Sequence, residues 1–380
     1  MEENKNVDLE ASEAEIEYKK EKLPKFSYVF FAIALVSLIL YIIAINYTPF
    51  ADFFNRHVSS IFRGTLATIT NILPLSLVEL IIITLPVTLF FIIRFALKRY
   101  SDTWHNAGIF CLAILSIACL LFSLFVCSFG IGYYSSTLDK KLELEKSTVS
   151  KTELAATAEW LIGEVNAVID EVEFIEKSSS VSPHTLSRTN DILLDSYDKI
   201  SEKYEFIPRL YSRVKPIMLS KPMTYTHISG VYTYFTGEAN VNTNSPDYCI
   251  PYTMAHELAH QRGIAREDEA NFIAFLVCSE SDDAYIRYCA YLNLCEYVLN
   301  ALYGADKKLW EETYKKLDNR AIYEMIAYNE FYEPYQDNVV GEISGAVNDA
   351  YLQANGTQGS VSYGLVVDLA VAYFHKNIEN

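Results

Sequence analysis

The chain has 380 residues, 51% of them hydrophobic, and a formal net charge of −17. That length accommodates two or more modules, and so much apolar content points to a membrane part joined to a water-soluble part. Residues 136–380 alone hold 37 acidic against 21 basic side chains. With no basic run anywhere, a nucleic-acid-binding face is excluded.

In chain order, residues 1–25 read as an acidic cytoplasmic tail. A membrane region over 26–132 follows, with apolar runs at 26–47, 73–93 and 107–132. Each meets the roughly 20 residues a helix needs to cross a bilayer. The first is too long for a signal peptide and has no small-residue cleavage site after it, so it reads as a retained anchor. Lys19, Lys20, Lys22 and Lys25 precede it, and Arg94, Lys98 and Arg99 separate the second and third runs. These cations belong on the cytoplasmic side. Loop 48–72, with only Arg56 and Arg63, then lies outside, and residues 133–380 become an extracytoplasmic domain of a multi-pass cell-membrane protein. Loop 48–72 fits an amphipathic helix on the membrane surface. Glu79, inside the second run, is a functional candidate by default. Its place near the run's start favours a side chain snorkelling to the interface. Pro86 is expected to kink that helix.

The outer part reads as mainly α. Apolar spacing predicts helices over 138–176, 187–205, 252–262, 266–278, 281–303, 306–328, 336–353 and 362–377. Between them, 215–251 is rich in Thr, Tyr, Val, Pro and Gly and reads as short strands and loops. Cys249, Cys278, Cys289 and Cys295 fit either two disulfides or buried free thiols. Asn355-Gly356-Thr357 matches a glycosylation sequon but reads as an ordinary turn.

The chemistry concentrates in "TMAHELAHQRGIAREDEANF", residues 253–272. On a helix, His256 and His260 share a face and can present imidazoles to one metal ion. Glu257 lies beside them, placed to take a proton from an activated water and return it to a leaving amine. Two histidines and a carboxylate, with a fourth position left for water, suit Zn2+. Gly263 can end the helix in a left-handed conformation. A second helix then starts near Arg266, with Glu267, Ala270 and Asn271 on one face. Glu269 points about 200° away from Glu267, so only one of the two can be the third ligand, and Glu267 is favoured. Asn271 can hold a ligand histidine through a hydrogen bond.

"HELAHQRGIAREDEANF", together with "FTGEANVN" upstream and "SVSYGLVVDL" near the end, resembles an uncharacterised family of bacterial membrane-anchored proteins known only as a domain of unknown function. The Glu-x-x-Ala-Asn segment is also similar to that of gluzincin zinc metallopeptidases. That resemblance implies a mostly helical zincin-like domain, with Glu267 as third zinc ligand and Asn271 in the place of the following Asp or Asn. The spacing departs from most gluzincins, since only six residues separate His260 from Glu267. Metzincins place a third histidine where this chain has Arg266, which does not ligate zinc.

"GEANVN" (237–242) fits an edge strand that pairs with a substrate backbone, or a structural loop. Tyr363 is a candidate donor to the oxyanion of peptide hydrolysis, with His227 and His375 as alternatives. The expected function is a membrane-anchored zinc metallopeptidase acting on a peptide or protein substrate. The alternatives are a non-enzymatic membrane sensor or scaffold with a structural zinc, and a transporter-associated protein.

Overall fold

The computed structural model describes residues 19–175 and 179–379. Most of the acidic tail thus lies outside the described residues. Three helices are long and apolar enough to cross a membrane. The first is α1 (Lys25–Asn46). Helices α2 (Thr48–Phe53) and α3 (Ser60–Thr70), joined by a π turn, fill the stretch to the second. The second and third are α4 (Leu77–Tyr100) and α5 (Trp104–Ser128).

The later two spans start where capping dictates. Ser76 Oγ accepts from the Glu79 amide and Thr103 Oγ1 from the Asn106 amide. Each satisfies a donor that the first helical turn leaves open. Residues 73–76, assigned to the second run by hydropathy, therefore form a turn instead. Ser27 and Ser116 meet across the α1–α5 contact at 3.0 Å, whereas the apolar flank of α4 is exposed all round.

The remaining chain forms a mainly helical domain at one end of these helices. The predicted helix over 138–176 is two separate helices, α6 (Leu138–Lys141) and α7 (Lys151–Val168). Glu143 takes a left-handed backbone (φ 56°) after α6, and a Ser150–Glu153 capping box opens α7. After α8 (Leu186–Lys203) comes a small sheet. It holds β1 (Lys215–Pro216), β2 (Gly230–Thr233) and β3 (Glu238–Val241), with a short helix, α9 (Ser220–Thr224), between β1 and β2. The order is β1-β3-β2, with β1 parallel and β2 antiparallel to β3.

Six helices follow: α10 (Cys249–Gln261), α11 (Glu267–Ser279), α12 (Ala284–Ala305), α13 (Lys307–Tyr314), α14 (Asn319–Tyr332) and α15 (Val339–Ala354). A 3-10 segment (Gly359–Leu365) then leads to α16 (Val366–Phe374). The single helix predicted over 306–328 is broken before α14, where Asp318 caps the Arg320 amide. α10 and α11 lie at the centre of the core, and every residue of α11 from Glu267 to Cys278 is buried. The four cysteines of this domain are free and buried among these helices. Asn355 and Gly356 form a turn after α15, with Gly356 left-handed (φ 82°) and Asn355 buried.

Two carboxylates lock the domain to the membrane helices. Glu238 of β3 accepts from the Leu77 and Val78 amides at the start of α4 and from Lys215 Nζ at 2.6 Å. A negative charge there also complements the helix dipole. In return, Glu79 of α4 accepts from the Met218 and Leu219 amides at 2.9 and 2.7 Å. Glu79 is therefore not snorkelling, because it is only 4% exposed and holds a domain loop. Nor does the stretch 48–72 merely lie on a surface. Arg63, 2% exposed, donates to the carbonyls of Ser128 and Asn55 and to Asn55 Oδ1.

Candidate metal centre

The site is built from the turn between α10 and α11. Its apex, Gly263, has φ 96°, a conformation an L side chain rarely adopts. A Cβ there would run into the Arg63 guanidinium. Asn55 Nδ2 donates to the Gly263 carbonyl at 3.0 Å. The inter-span segment thus grips the turn that sets α10 against α11.

Across this turn, one atom each from His256, His260 and Glu267 lies within 4.8 Å of the other two. His256 Nε2 is 3.1 Å and His260 Nε2 is 3.3 Å from Glu267 Oε2, and the two Nε2 atoms are 3.0 Å apart. The outward ring nitrogens fix the tautomers. His256 Nδ1 donates to Asn271 Oδ1 at 2.8 Å and His260 Nδ1 to the Ile264 carbonyl at 2.7 Å. In its neutral form each ring would therefore turn a bare Nε2 lone pair inward. Two lone pairs and a carboxylate oxygen converging in a buried place repel one another unless a cation sits among them. The titration of the groups shows the same demand for positive charge, which a proton on His260 meets. Burial opposes charge on His260, yet Glu267 raises its pKa to about 9. Although burial disfavours the charged carboxylate, the two imidazoles hold Glu267 well below the usual range.

Glu269, the alternative carboxylate, faces elsewhere. Its Oε1 accepts from the Leu138 amide at 2.8 Å and Arg266 Nη1 at 2.9 Å. It joins the start of α6 to the turn.

Glu257 is 4% exposed. Burial pushes its carboxyl up to about 7, against the pull of His256 and His260, and the Tyr232 amide of β2 also donates to it. Its Oε2 has no hydrogen-bond partner. Gly230 of β2 lies against it so closely that a Cβ would stand 2.5 Å from Oε1.

The three convergent groups and Glu257 line a cleft of about 600 Å³. Tyr133, Tyr351 and Tyr363 also line it. Tyr133 Oη donates to Tyr351 Oη at 3.3 Å. Burial, with Glu267 adding to it, raises the Tyr363 hydroxyl above its ordinary value, so it remains a donor at neutral pH. His227 lines the cleft as well, but its Nε2 is 2.7 Å from the Tyr335 carbonyl. His375 lies beyond α16, where its Nε2 is 3.1 Å from Glu153 Oε1, and it is not a lining residue.

β3 is the central strand and is buried at every position, so "GEANVN" is not an edge. The edge strand beside the cleft is β2, whose Gly230, Val231 and Tyr232 line it. Asn55, Arg63, Tyr133, Tyr351 and Gly230 carry no local motif. An arginine isolated in an apolar stretch was the one available signal, for Arg63. Glu296, which also lines the cleft, accepts from Tyr248 Oη at 2.8 Å.

The profile of a family described as "Protein of unknown function (DUF3810)" matches residues 54–371. The chain belongs to this family. The match begins within the segment between α1 and α4 and takes in the whole α10–α11 hairpin. No curated protein and no solved structure matches the chain.

Proposed function

We propose that this DUF3810 protein is a membrane-anchored zinc metallopeptidase with a zincin-like domain on the extracytoplasmic side. The observation that carries the reading is the convergence of His256 Nε2, His260 Nε2 and Glu267 Oε2 beside the unpartnered Glu257 Oε2. This donor set fits Zn2+ with an open position. Zinc bound there would supply a Lewis acid that activates water and polarises the scissile carbonyl.

The chain's own residues supply the rest. Glu257, titrating near neutrality, takes the proton of the attacking water at Oε2 and hands it to the leaving amine. The Tyr232 amide and the close approach of Gly230 hold that carboxylate in place. The Tyr363 hydroxyl is the candidate donor to the developing oxyanion. The edge of β2 offers backbone groups to an extended peptide. Asn271 keeps His256 in the tautomer that faces the metal.

A structural zinc is usually closed by four protein ligands. Among the described residues, the convergent group has three members, and it faces a cleft rather than a packed core. This favours the enzyme over a scaffold. The outward placement rests on the lysines before α1 and the cations at the end of α4, which lie at the end away from the domain. Arg99 pairs with Glu21 there at 3.0 Å. The test is peptide hydrolysis by the full chain in detergent or nanodiscs. Glu257→Gln is expected to abolish turnover while leaving the fold intact. Unchanged turnover would end the reading.

A further inference from the structure

A second cavity, of about 440 Å³, lies behind the Gly263 turn. It is walled by the inter-span segment on one side and by α6 and the Arg262–Ile264 turn on the other. Its charge is unlike that of the domain around it. Arg63, Arg262, Lys140 and Lys141 all line it.

None of these four cations has an ion-pair partner among the described residues. Arg63 and Arg262 are 2% and 3% exposed, and their terminal nitrogens donate only to neutral oxygens, with the Arg262 guanidinium also lying over the Tyr197 ring at 3.8 Å. For Arg63 these are the carbonyls of Asn55 and Ser128 and Asn55 Oδ1. For Arg262 they are the carbonyls of Leu258 and Leu210. Both Nε atoms are buried without a partner, as is the hydroxyl of Ser135 on the same wall. Burial lowers both arginines to about 10 and lowers Lys141 as well. The remaining lining charges do not balance this. Arg56 and Glu205 cancel each other at 3.1 Å. Asp52, which accepts from the Ser136 amide and hydroxyl and pulls on Lys141, is then the one lining carboxylate left against the four cations.

Buried cations without a counter-charge are costly, and orphaned donors in a roomy cavity call for an acceptor-rich anion. We propose that this cavity binds a phosphate group. The adjoining segment exposes Phe53, Ile61 and Ile69, and it runs between the ends of two membrane helices. A phosphate entering from a phospholipid headgroup therefore reaches the cavity without leaving the bilayer surface. An occupant would bear on Arg63, and through Arg63 on the Gly263 turn. It would thus stabilise the hairpin from behind, whether or not the hairpin carries zinc and hydrolyses peptides.

The experiment is thermal unfolding of the full chain. It is run in phosphatidylcholine nanodiscs, in the same nanodiscs doped with phosphatidylglycerol, and in a neutral detergent with and without inorganic phosphate. Phosphatidylglycerol is expected to raise the Tm of the native chain by several degrees, and to leave a Lys140→Ser/Lys141→Ser variant unmoved. A Lys140→Arg/Lys141→Arg variant is expected to respond like the native chain. A Lys19→Ser/Lys22→Ser variant, altered at the opposite membrane end, should also keep the response. A shift produced by inorganic phosphate in detergent, and lost in the serine variant, would identify free phosphate as the source and sustain the site. Two outcomes overturn it: no shift with either probe, or an equal shift in the serine variant.

Discussion

Arg63, between the first two long apolar helices, packs against Gly263, the apex of the turn between α10 and α11, so closely that any side chain at 263 would strike its guanidinium. The two residues are far apart in the sequence, and their contact makes the segment between α1 and α4 part of the site's scaffold. Gly263→Ala meets both this clash and a left-handed backbone. A cost of about 2 kcal/mol or more is expected. It would be read as a lowered Tm together with reduced metal retention after dialysis.

The two glutamates of α11 should separate cleanly. Glu267→Gln removes the carboxylate facing both imidazoles, and bound zinc should fall to background. Glu269→Gln should keep the metal. It weakens the hold on Leu138 and leaves Arg266 without its carboxylate, for a stability loss of about 1–3 kcal/mol. Metal analysis beside a denaturation curve distinguishes them.

Gly230→Ala tests the seating of the base. An added methyl 2.5 Å from Oε1 must push the Glu257 carboxylate aside or distort β2. Turnover is expected to fall by about 10²-fold or more, with zinc content unchanged, because Gly230 touches no proposed ligand. Loss of metal in this variant would show that β2 supports the ligands and not the base.

Glu296 gives a pH signature that does not involve the metal. Burial lifts its carboxyl from 4.5 to about 7, although Tyr248 donates to it. Between these values the folded chain keeps a proton that the unfolded chain has lost. Unfolding therefore releases a proton, and this contribution to stability declines as pH rises from 4.5 through 7. It amounts to about 3 kcal/mol at most. Glu296→Gln should remove that slope, so the variant gains stability relative to the native chain at about pH 8 and not at about pH 5. Urea unfolding at the two pH values measures the difference.

Much of the architecture was legible locally. Spans announce themselves by length and apolar content, and helix α10 announces its chemistry because residues four apart share a face. Gly263 read correctly as a helix terminator because glycine takes the left-handed backbone that ends a helix. What escaped depended on distant partners. Glu79 looked like an ionisable residue in a membrane helix, although Ser76-x-x-Glu79 is also a helix-start pattern. Only the fold shows that its oxygens hold Met218 and Leu219. β3 read as an edge because nothing in "GEANVN" records that strands flank it on both sides. The start of α6 hung on the Leu138 amide finding Glu269, far along the chain.

The central claim is that His256, His260 and Glu267 hold one zinc with an open position next to Glu257. X-ray absorption at the zinc edge, with metal quantification on the detergent-extracted full chain and its Glu257→Gln variant, tests this most directly. The account expects about one zinc per chain in both proteins, bound by two imidazoles, a carboxylate and a water oxygen. A native chain without zinc, or one whose zinc has four protein ligands and no water, would contradict it.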